Sequence, residues 1–133
     1  MSEREIAKLI ETYLFAWNDR DFEKMASLFS VPATYIAPGG NLHIPDKAAV
    51  ISKLRRQFAE LEAEDFDHTE IGEVVVTMCN EYAALAELRD LRRLKSDGSQ
   101  IAAIDALYIC VLDEGSWRLS VAMAGACGWN NKG

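Results

Sequence analysis

The fold is decided by residues 70–126, which read EIGEVVVTMCNEYAALAELRDLRRLKSDGSQIAAIDALYICVLDEGSWRLSVAMAGA. Four long, β-prone segments are joined there by short polar turns, two of which contain Asp97-Gly98 and Glu114-Gly115. Acid–glycine pairs suit the positive φ angles that two-residue hairpin turns require. The stretch therefore predicts a four-stranded antiparallel meander, with strands at about 70–78, 82–95, 100–112 and 117–126.

The residues before the meander have a mainly helical pattern. Apolar residues recur at helical spacing from Ile6 to Trp17, and Asp21 and Asp46 are suited to cap two further helices. In the third helix Lys53 falls on the charged side, and residues 33–36 and 42–44 are short β-prone segments. The expected fold is α+β: three N-terminal helices packed on a curved, mainly antiparallel sheet, in a single domain over residues 1–133.

Composition excludes several classes of function. The chain has 133 residues, 50% of them hydrophobic, and a net charge of −7 that argues against nucleic-acid or anionic-membrane partners. The N-terminus lacks a signal-peptide pattern and no apolar run approaches the ~20 residues of a membrane span. The odd set of Cys79, Cys110 and Cys127 is interpreted as small buried hydrophobes in a cytoplasmic protein. Neither histidine has a second ligand at metal spacing, so no metal and no cofactor are predicted.

Three stretches carry a resemblance to a known family. They are Tyr13-x-x-x-Trp17-Asn18-x-x-Asp21, Phe29-Ser30-Val31-Pro32-Ala33-Thr34-Tyr35 and Gly115-Ser116-Trp117-Arg118-Leu119. With the element order, they make the chain resemble the nuclear transport factor 2-like superfamily, in particular its SnoaL-like bacterial members. The resemblance implies a cone-shaped barrel with a pocket between sheet and helices, commonly in a homodimer formed through the sheet. No catalytic residue carries over, because the last strand contains none of the histidines that the SnoaL-type cyclases use.

The hairpin turns predict which side chains share a face of the sheet. They place Glu87 opposite Tyr108 and Val74 opposite Glu87, on a face that is otherwise apolar and aromatic. Charges on such a face indicate a polar patch in a pocket, so Glu87 is a candidate general base, Tyr108 a proton donor and Arg89 an anion partner. Alternatively, Glu87 and Arg89 simply pair with each other. The other residues expected to line the pocket are Tyr13, Trp17, Phe29, Tyr35, Phe58, His68, Trp117 and Met123.

The opposite face is predicted to form a homodimer. It combines the small residues Ala122 and Ala124 with the large apolar residues Leu107 and Ile109, which would be exposed in a monomer. Asp90, Arg92 and Asp105 share this face. Their Asp-Arg-Asp pattern resembles the water-activating site of limonene epoxide hydrolases, but its position on the dimer face favours an interfacial ion-pair network.

Two functions remain open from the sequence. The first is binding of a small, largely apolar molecule in an enclosed pocket, with acid–base chemistry of the isomerase, dehydratase or cyclase type. The second is a non-catalytic ligand-binding or dimerisation domain. The assignment of faces depends on strand register, because the side-chain period of a strand is two and a single bulge would exchange the faces.

Overall fold

The structure is a computed structural model that describes residues 2–37 and 40–125. The order of its elements is the one that the sequence predicts, and the α+β class is confirmed. The elements are α1 (Ser2–Asn18), α2 (Phe22–Ser27), β1 (Phe29–Ala37), β2 (Gly40–Ile44), α3 (Lys47–Glu62), β3 (Phe66–Asn80), β4 (Ala83–Lys95), β5 (Gln100–Asp113) and β6 (Ser116–Gly125).

The six strands form one strongly curved sheet that does not close into a barrel. Their order is β2-β1-β6-β5-β4-β3, and β1 pairs in parallel with β6 while the other pairs are antiparallel. The helices cover one face of this sheet, which we call the inner face; the other is the outer face. Buried apolar side chains of α1 and α3, among them Ile6, Ile10 and Leu54, form the core against the inner face.

Capping residues set the ends of the helices. The Asp21 carboxylate accepts a hydrogen bond from the Lys24 N–H at 3.1 Å, and that of Asp46 accepts one from the Ala49 N–H at 2.9 Å. Each satisfies a backbone donor that the first turn of a helix leaves free. Both predicted N-caps are therefore confirmed.

The first hairpin turn lies one residue later than predicted. Asn80 pairs with Ala83, so the turn residues are Glu81 and Tyr82 rather than Asn80 and Glu81. The Asn80 side chain accepts a hydrogen bond from the Tyr82 N–H at 2.8 Å, an Asx turn that fixes this position. As a result Val74 lies opposite Leu88 and not opposite Glu87, and the predicted register of this hairpin is wrong.

A bulge in β4 changes the pairing with β5. Leu88 pairs with Ala106 and Leu91 with Ile104, so two residues of β4 face one residue of β5. Asp90, the bulged residue, has a φ of 56° and donates its N–H to the Asp105 carboxylate at 3.2 Å. Glu87 consequently lies opposite Leu107 and not opposite Tyr108, which corrects the predicted register.

A second irregularity shifts β6 against β5. The register changes between Ile109 and Cys110, so Tyr108 lies opposite Ala122 and not Val121. The Glu114-Gly115 turn itself forms as predicted, with Gly115 at a φ of 83°. The prediction therefore holds beside the turn and fails beyond the bulge, where each side chain moves to the opposite face.

The cysteines do not share one environment. Cys110 is buried as predicted, but Cys79 near the end of β3 is exposed, so the prediction is wrong for Cys79. Cys127 lies outside the described residues. No helix in residues 2–37 and 40–125 is long and apolar enough to cross a membrane.

Candidate functional site

A cavity of about 50 Å³ lies between the helices and the inner face of the sheet. Residues from both layers line it: Ile10, Tyr13, Leu14, Trp17, Phe29, Tyr35, Ile44, Val50, Lys53, Leu54, Gln57, Thr69, Ile71, Leu88, Leu91, Arg93, Ala106, Tyr108, Ala122 and Ala124. Most of these side chains are apolar, with a few polar groups among them, which is the usual make-up of a small-molecule site.

Aromatic rings form one wall of the cavity. Of the residues predicted to line a pocket, Tyr13, Trp17, Phe29 and Tyr35 do so. The Tyr13 ring meets Phe29 edge-on at 5.9 Å between centroids and Tyr108 at 5.8 Å. These contacts hold the rings in fixed positions, so the wall has a defined shape.

The end of α1 is tied to β3 by hydrogen bonds beside this wall. The Trp17 indole N–H donates to the Thr69 hydroxyl at 2.9 Å. The Asn18 amide donates to the Thr69 carbonyl at 3.0 Å and accepts from its N–H at 2.8 Å. Arg20 then donates to the Asp67 carbonyl at 2.8 Å. The Trp17-Asn18 pair of the family-like motif therefore positions the aromatic wall on the sheet.

Two tyrosine hydroxyls are buried at the cavity. Burial, and then the neighbouring Tyr108, raises the pKa of Tyr13 well above its usual value. Burial also raises the pKa of Tyr108. Both phenols therefore stay protonated at neutral pH. The two hydroxyls share a hydrogen bond, in which Tyr13 is the donor, so the Tyr108 O–H can donate to an oxygen of a bound molecule.

Two cations also line the cavity. Lys53 of α3 donates to the Gln57 side chain at 3.0 Å, and its Nζ lies 3.4 Å from the centroid of the Tyr35 ring. Burial, followed by the nearby Arg93 and Arg56, lowers the pKa of Lys53 to about 8. Burial likewise lowers the pKa of Arg93. Since Tyr35, Lys53 and Gln57 are only half-buried, they mark the side on which the cavity approaches solvent.

The predicted catalytic trio is not brought together. Tyr108 lines the cavity, but Glu87 and Arg89 lie on the outer face, because the bulge at Asp90 separates them from Leu91 and Arg93. The Arg89 guanidinium donates to the Glu87 carboxylate at 2.8 Å and lies 3.9 Å from Glu73. The alternative, in which Glu87 and Arg89 pair with each other, is the arrangement observed.

Four residues predicted to line the pocket lie elsewhere. Phe58 is buried behind Trp17, with 4.5 Å between the two ring centroids, and Trp117 packs at the edge of the core near the last turn. Met123 pairs with Leu107 on the outer face. His68 contacts Asp67 at 2.9 Å and Glu70 at 3.1 Å, and about a third of its side chain is exposed.

The residues predicted to form the dimer surface are divided between the faces. Ala122 and Ala124 line the cavity, because the β5–β6 irregularity reverses their orientation. Leu107 and Ile109 alternate with the cavity residues of β5 and so lie on the outer face. Of the acid–arginine cluster, Arg92 lies 3.5 Å from the Asp90 carboxylate, and Asp105 binds the Asp90 backbone.

Sequence reasoning missed Lys53 as a cavity residue. The helical pattern places Lys53 on the charged side of α3, yet a long side chain can reach inward across the helix surface. The spacing of three between Leu88 and Leu91, where alternation requires two, was the available signal for the bulge.

Within the described ranges, no three His, Cys, Asp or Glu side chains could together hold a metal ion.

A curved sheet with helices packed over a cavity on its inner face is the architecture of an NTF2-like protein. The model of the family described as NTF2-like protein (DUF6841) matches residues 3–127, and the chain belongs to this family. No curated protein matches the chain by sequence.

Solved structures show the same fold. An NTF2-like protein of unknown function from Pseudomonas putida KT2440 is 18% identical, with a TM-score of 0.76 over 93% of this chain and 85% of the other. A cystatin-like domain of unknown function from Nostoc punctiforme is 20% identical, with a TM-score of 0.75 over 94% and 76%. A protein from Catenulispora acidiphila in complex with S-DNPA is 13% identical, with a TM-score of 0.71 over 92% and 90%.

Proposed function

We propose that this protein binds a small, largely apolar molecule in the cavity between its helices and its sheet. The observation that carries the proposal is the composition of the cavity wall: aromatic and aliphatic side chains surround a few polar groups, including the Tyr108 hydroxyl. The complex of the Catenulispora acidiphila protein with S-DNPA supports ligand binding on this fold.

Binding without catalysis is the function that the geometry favours. No Asp, Glu or His is found among the described residues that line the cavity, so a carboxylate or imidazole base is absent from that part of the wall. Chemistry of the isomerase, dehydratase or cyclase type would have to use Tyr13, Tyr108 and Lys53. The protonated phenols could polarise a carbonyl oxygen, and Lys53 would be the base.

The test is binding of small probes observed by NMR. Xenon, isobutyramide and isobutyrate are each titrated into the protein while backbone amide shifts are followed. We expect at least one probe to shift the amides of Leu88, Ala106 and Tyr108. Ala124→Leu, which fills the cavity, should abolish the effect, whereas Ala103→Leu at an exposed position of β5 should not. The proposal fails if all three probes leave the cavity amides unchanged.

We further propose that the outer face forms a homodimer. The registers align Val75, Glu87, Leu107, Met123 and Ile36 in one row across five strands. Four of these five side chains are apolar, which is unusual for a sheet face left in water. Light scattering should give twice the chain mass, and Leu107→Glu should give the monomer. A monomer in the wild-type protein at high concentration would refute this proposal.

A further inference from the structure

The cavity contains two cations that form no direct ion pair with a described carboxylate. Lys53 and Arg93 both line it, and in the described part of the chain no carboxylate lies within 4.0 Å of either. Glu64 is the one described carboxylate that acts on Arg93 from a greater distance. The Nε atom of Arg93 is buried and has no hydrogen-bond partner among the described residues. The Arg93 guanidinium lies 5.9 Å from the Trp17 ring centroid, so an aromatic ring is among its neighbours.

This arrangement is costly for the protein alone. Removing a cation from water is unfavourable unless an opposite charge or hydrogen bonds replace the solvent. Two cations near each other add repulsion, and Arg93 contributes to the lowered pKa of Lys53. Buried charge of one sign that the fold leaves unpaired is typical of sites whose ligand supplies the other sign.

We propose that the ligand is an organic carboxylate whose charged end binds between Arg93 and Lys53 and whose apolar body fills the cavity. The inference rests on the proposed function, since it names the class of molecule that the cavity takes. Arg93 offers the planar, two-pronged donor set that matches a carboxylate, and Lys53 adds a second positive charge. Apolar side chains such as Leu54 and Leu88 then contact the body of the ligand.

The size of the cavity restricts the apolar body. A cavity needs a volume of roughly 10–15 Å³ to hold one water molecule, whereas a cavity of about 150 Å³ holds benzene. A cavity of about 50 Å³ therefore suits a short or branched aliphatic acid, and an aromatic acid would require the side chains to move. The expected order of affinity is isobutyrate above benzoate.

The experiment compares acids with their neutral amides of the same shape. Isobutyrate, isobutyramide, benzoate, benzamide and inorganic phosphate are titrated at constant low ionic strength, in a buffer without carboxylate, and amide shifts give the dissociation constants. We expect isobutyrate to bind at least about tenfold more tightly than isobutyramide, because an ionised hydrogen-bond partner strengthens binding by that order. Phosphate, which has no apolar body, should bind more weakly than isobutyrate.

Matched variants identify the cations. Arg93→Met and Lys53→Met should reduce the preference for acid over amide, while the amide still binds. Arg92→Met changes the neighbouring arginine, which contacts Asp90 and Glu70 on the other side of the strand, and should leave the preference intact. Lys47→Met, at an exposed position of α3, is the control for Lys53.

The outcomes separate the two proposals. Equal affinity of the wild-type protein for isobutyrate and isobutyramide would overturn the carboxylate inference and leave the proposed binding function standing. Phosphate binding as tight as isobutyrate would also overturn it, because the site would then recognise charge alone. If no probe binds, both proposals fail. The comparison of acid with amide in the wild-type protein decides the matter even if Arg93→Met does not fold.

Discussion

The inner and outer faces of the sheet both carry arginines, but only those on the outer face have a carboxylate close to them. On the outer face Arg89 pairs with Glu87 at 2.8 Å, and Arg92 lies 3.6 Å from Glu70. On the inner face Arg93, the residue after Arg92, borders the cavity and has no described carboxylate within 4.0 Å. Adjacent arginines in one strand therefore differ in whether the chain provides an acid for them.

The difference shows which charges belong to the fold and which to a site. Exposed ion pairs contribute little to stability but cost little, so the outer pairs need no special explanation. An unpaired cation at a cavity lowers the stability of the free protein, and such a cost is common where a protein binds ligand.

The two described cysteines should differ most. Cys110 is buried on the inner side, and burial raises its pKa to about 12, whereas Cys79 is exposed. We expect a thiol reagent at pH 8 to modify Cys79 at least about 100-fold faster than Cys110, because the thiolate is the reactive form and the core blocks access. Peptide mapping after timed alkylation measures both rates. Equal rates would mean that the face containing Cys110 opens readily to solvent.

Gly72→Ala should destabilise the bulge that separates the faces. A Cβ at Gly72 would lie 2.9 Å from the Asp90 Cβ and 3.2 Å from the Arg89 carbonyl oxygen. We expect the free energy of unfolding in urea to fall by about 1–3 kcal/mol, as for other substitutions that overfill a packed site.

A second substitution serves as the control for this clash. Asp90→Gly removes the opposing side chain and suits the φ of 56° at that position. In the Asp90→Gly background, Gly72→Ala should therefore cost less than it does alone. Strictly additive effects would show that the contact between residues 72 and 90 does not explain the loss.

The sequence was sufficient for the fold because the fold depends on repeated signals. Asp97-Gly98 and Glu114-Gly115 mark their turns, and the long β-prone segments between them predict the meander. The candidate site depends on single residues instead. Asp90 takes up a left-handed conformation without a glycine to announce it, and this one residue moves Glu87 away from Tyr108. Four of the eight expected lining residues reach the cavity, and none of the four depends on the registers of the meander hairpins: Tyr13 and Trp17 lie on α1, and Phe29 and Tyr35 lie on β1.

Lys53→Met should stabilise the free protein. The substitution removes a half-buried cation that lies near Arg93, with Arg56 on the same helix and the Tyr35 ring beside it. We expect the free energy of unfolding at pH 7 to rise by about 1–2 kcal/mol, whereas Lys47→Met at an exposed site should change it by less than about 0.5 kcal/mol.

The pH dependence of this stability difference tests separately whether the charge of Lys53 is its cause. The folded protein holds the pKa of Lys53 at about 8, below the usual lysine value of 10.5. Between pH 8 and pH 10.5 the unfolded chain binds more protons than the folded protein does. The free energy of unfolding of the wild-type protein therefore rises with pH over this interval, as the destabilisation caused by charged Lys53 disappears. The advantage of Lys53→Met should therefore be full below pH 8 and shrink toward pH 10.5. A constant difference over this range would indicate that packing, and not charge, separates the two proteins.

His68 should show the smallest effect, opposite in sign to that of Lys53. Hydrogen bonds to Glu70 and then Asp67 raise the pKa of this partly exposed histidine above 6.5. The stabilisation is therefore complete below pH 6.5 and is lost as the pH rises through the raised pKa, because only the protonated ring gains from two carboxylates. NMR titration of the ring protons should show a lower pKa in Glu70→Gln than in the wild-type protein. Glu73→Gln, which removes an acid outside this contact, should leave the titration unchanged.

An equal decrease in both variants would mean that the general negative charge of β3, and not the direct contact, stabilises the imidazolium. In that case His68 would not be an example of a cation that the chain stabilises by direct contact with acids. The contrast with the cations that have no ion pair, Lys53 and Arg93, would then not extend to His68.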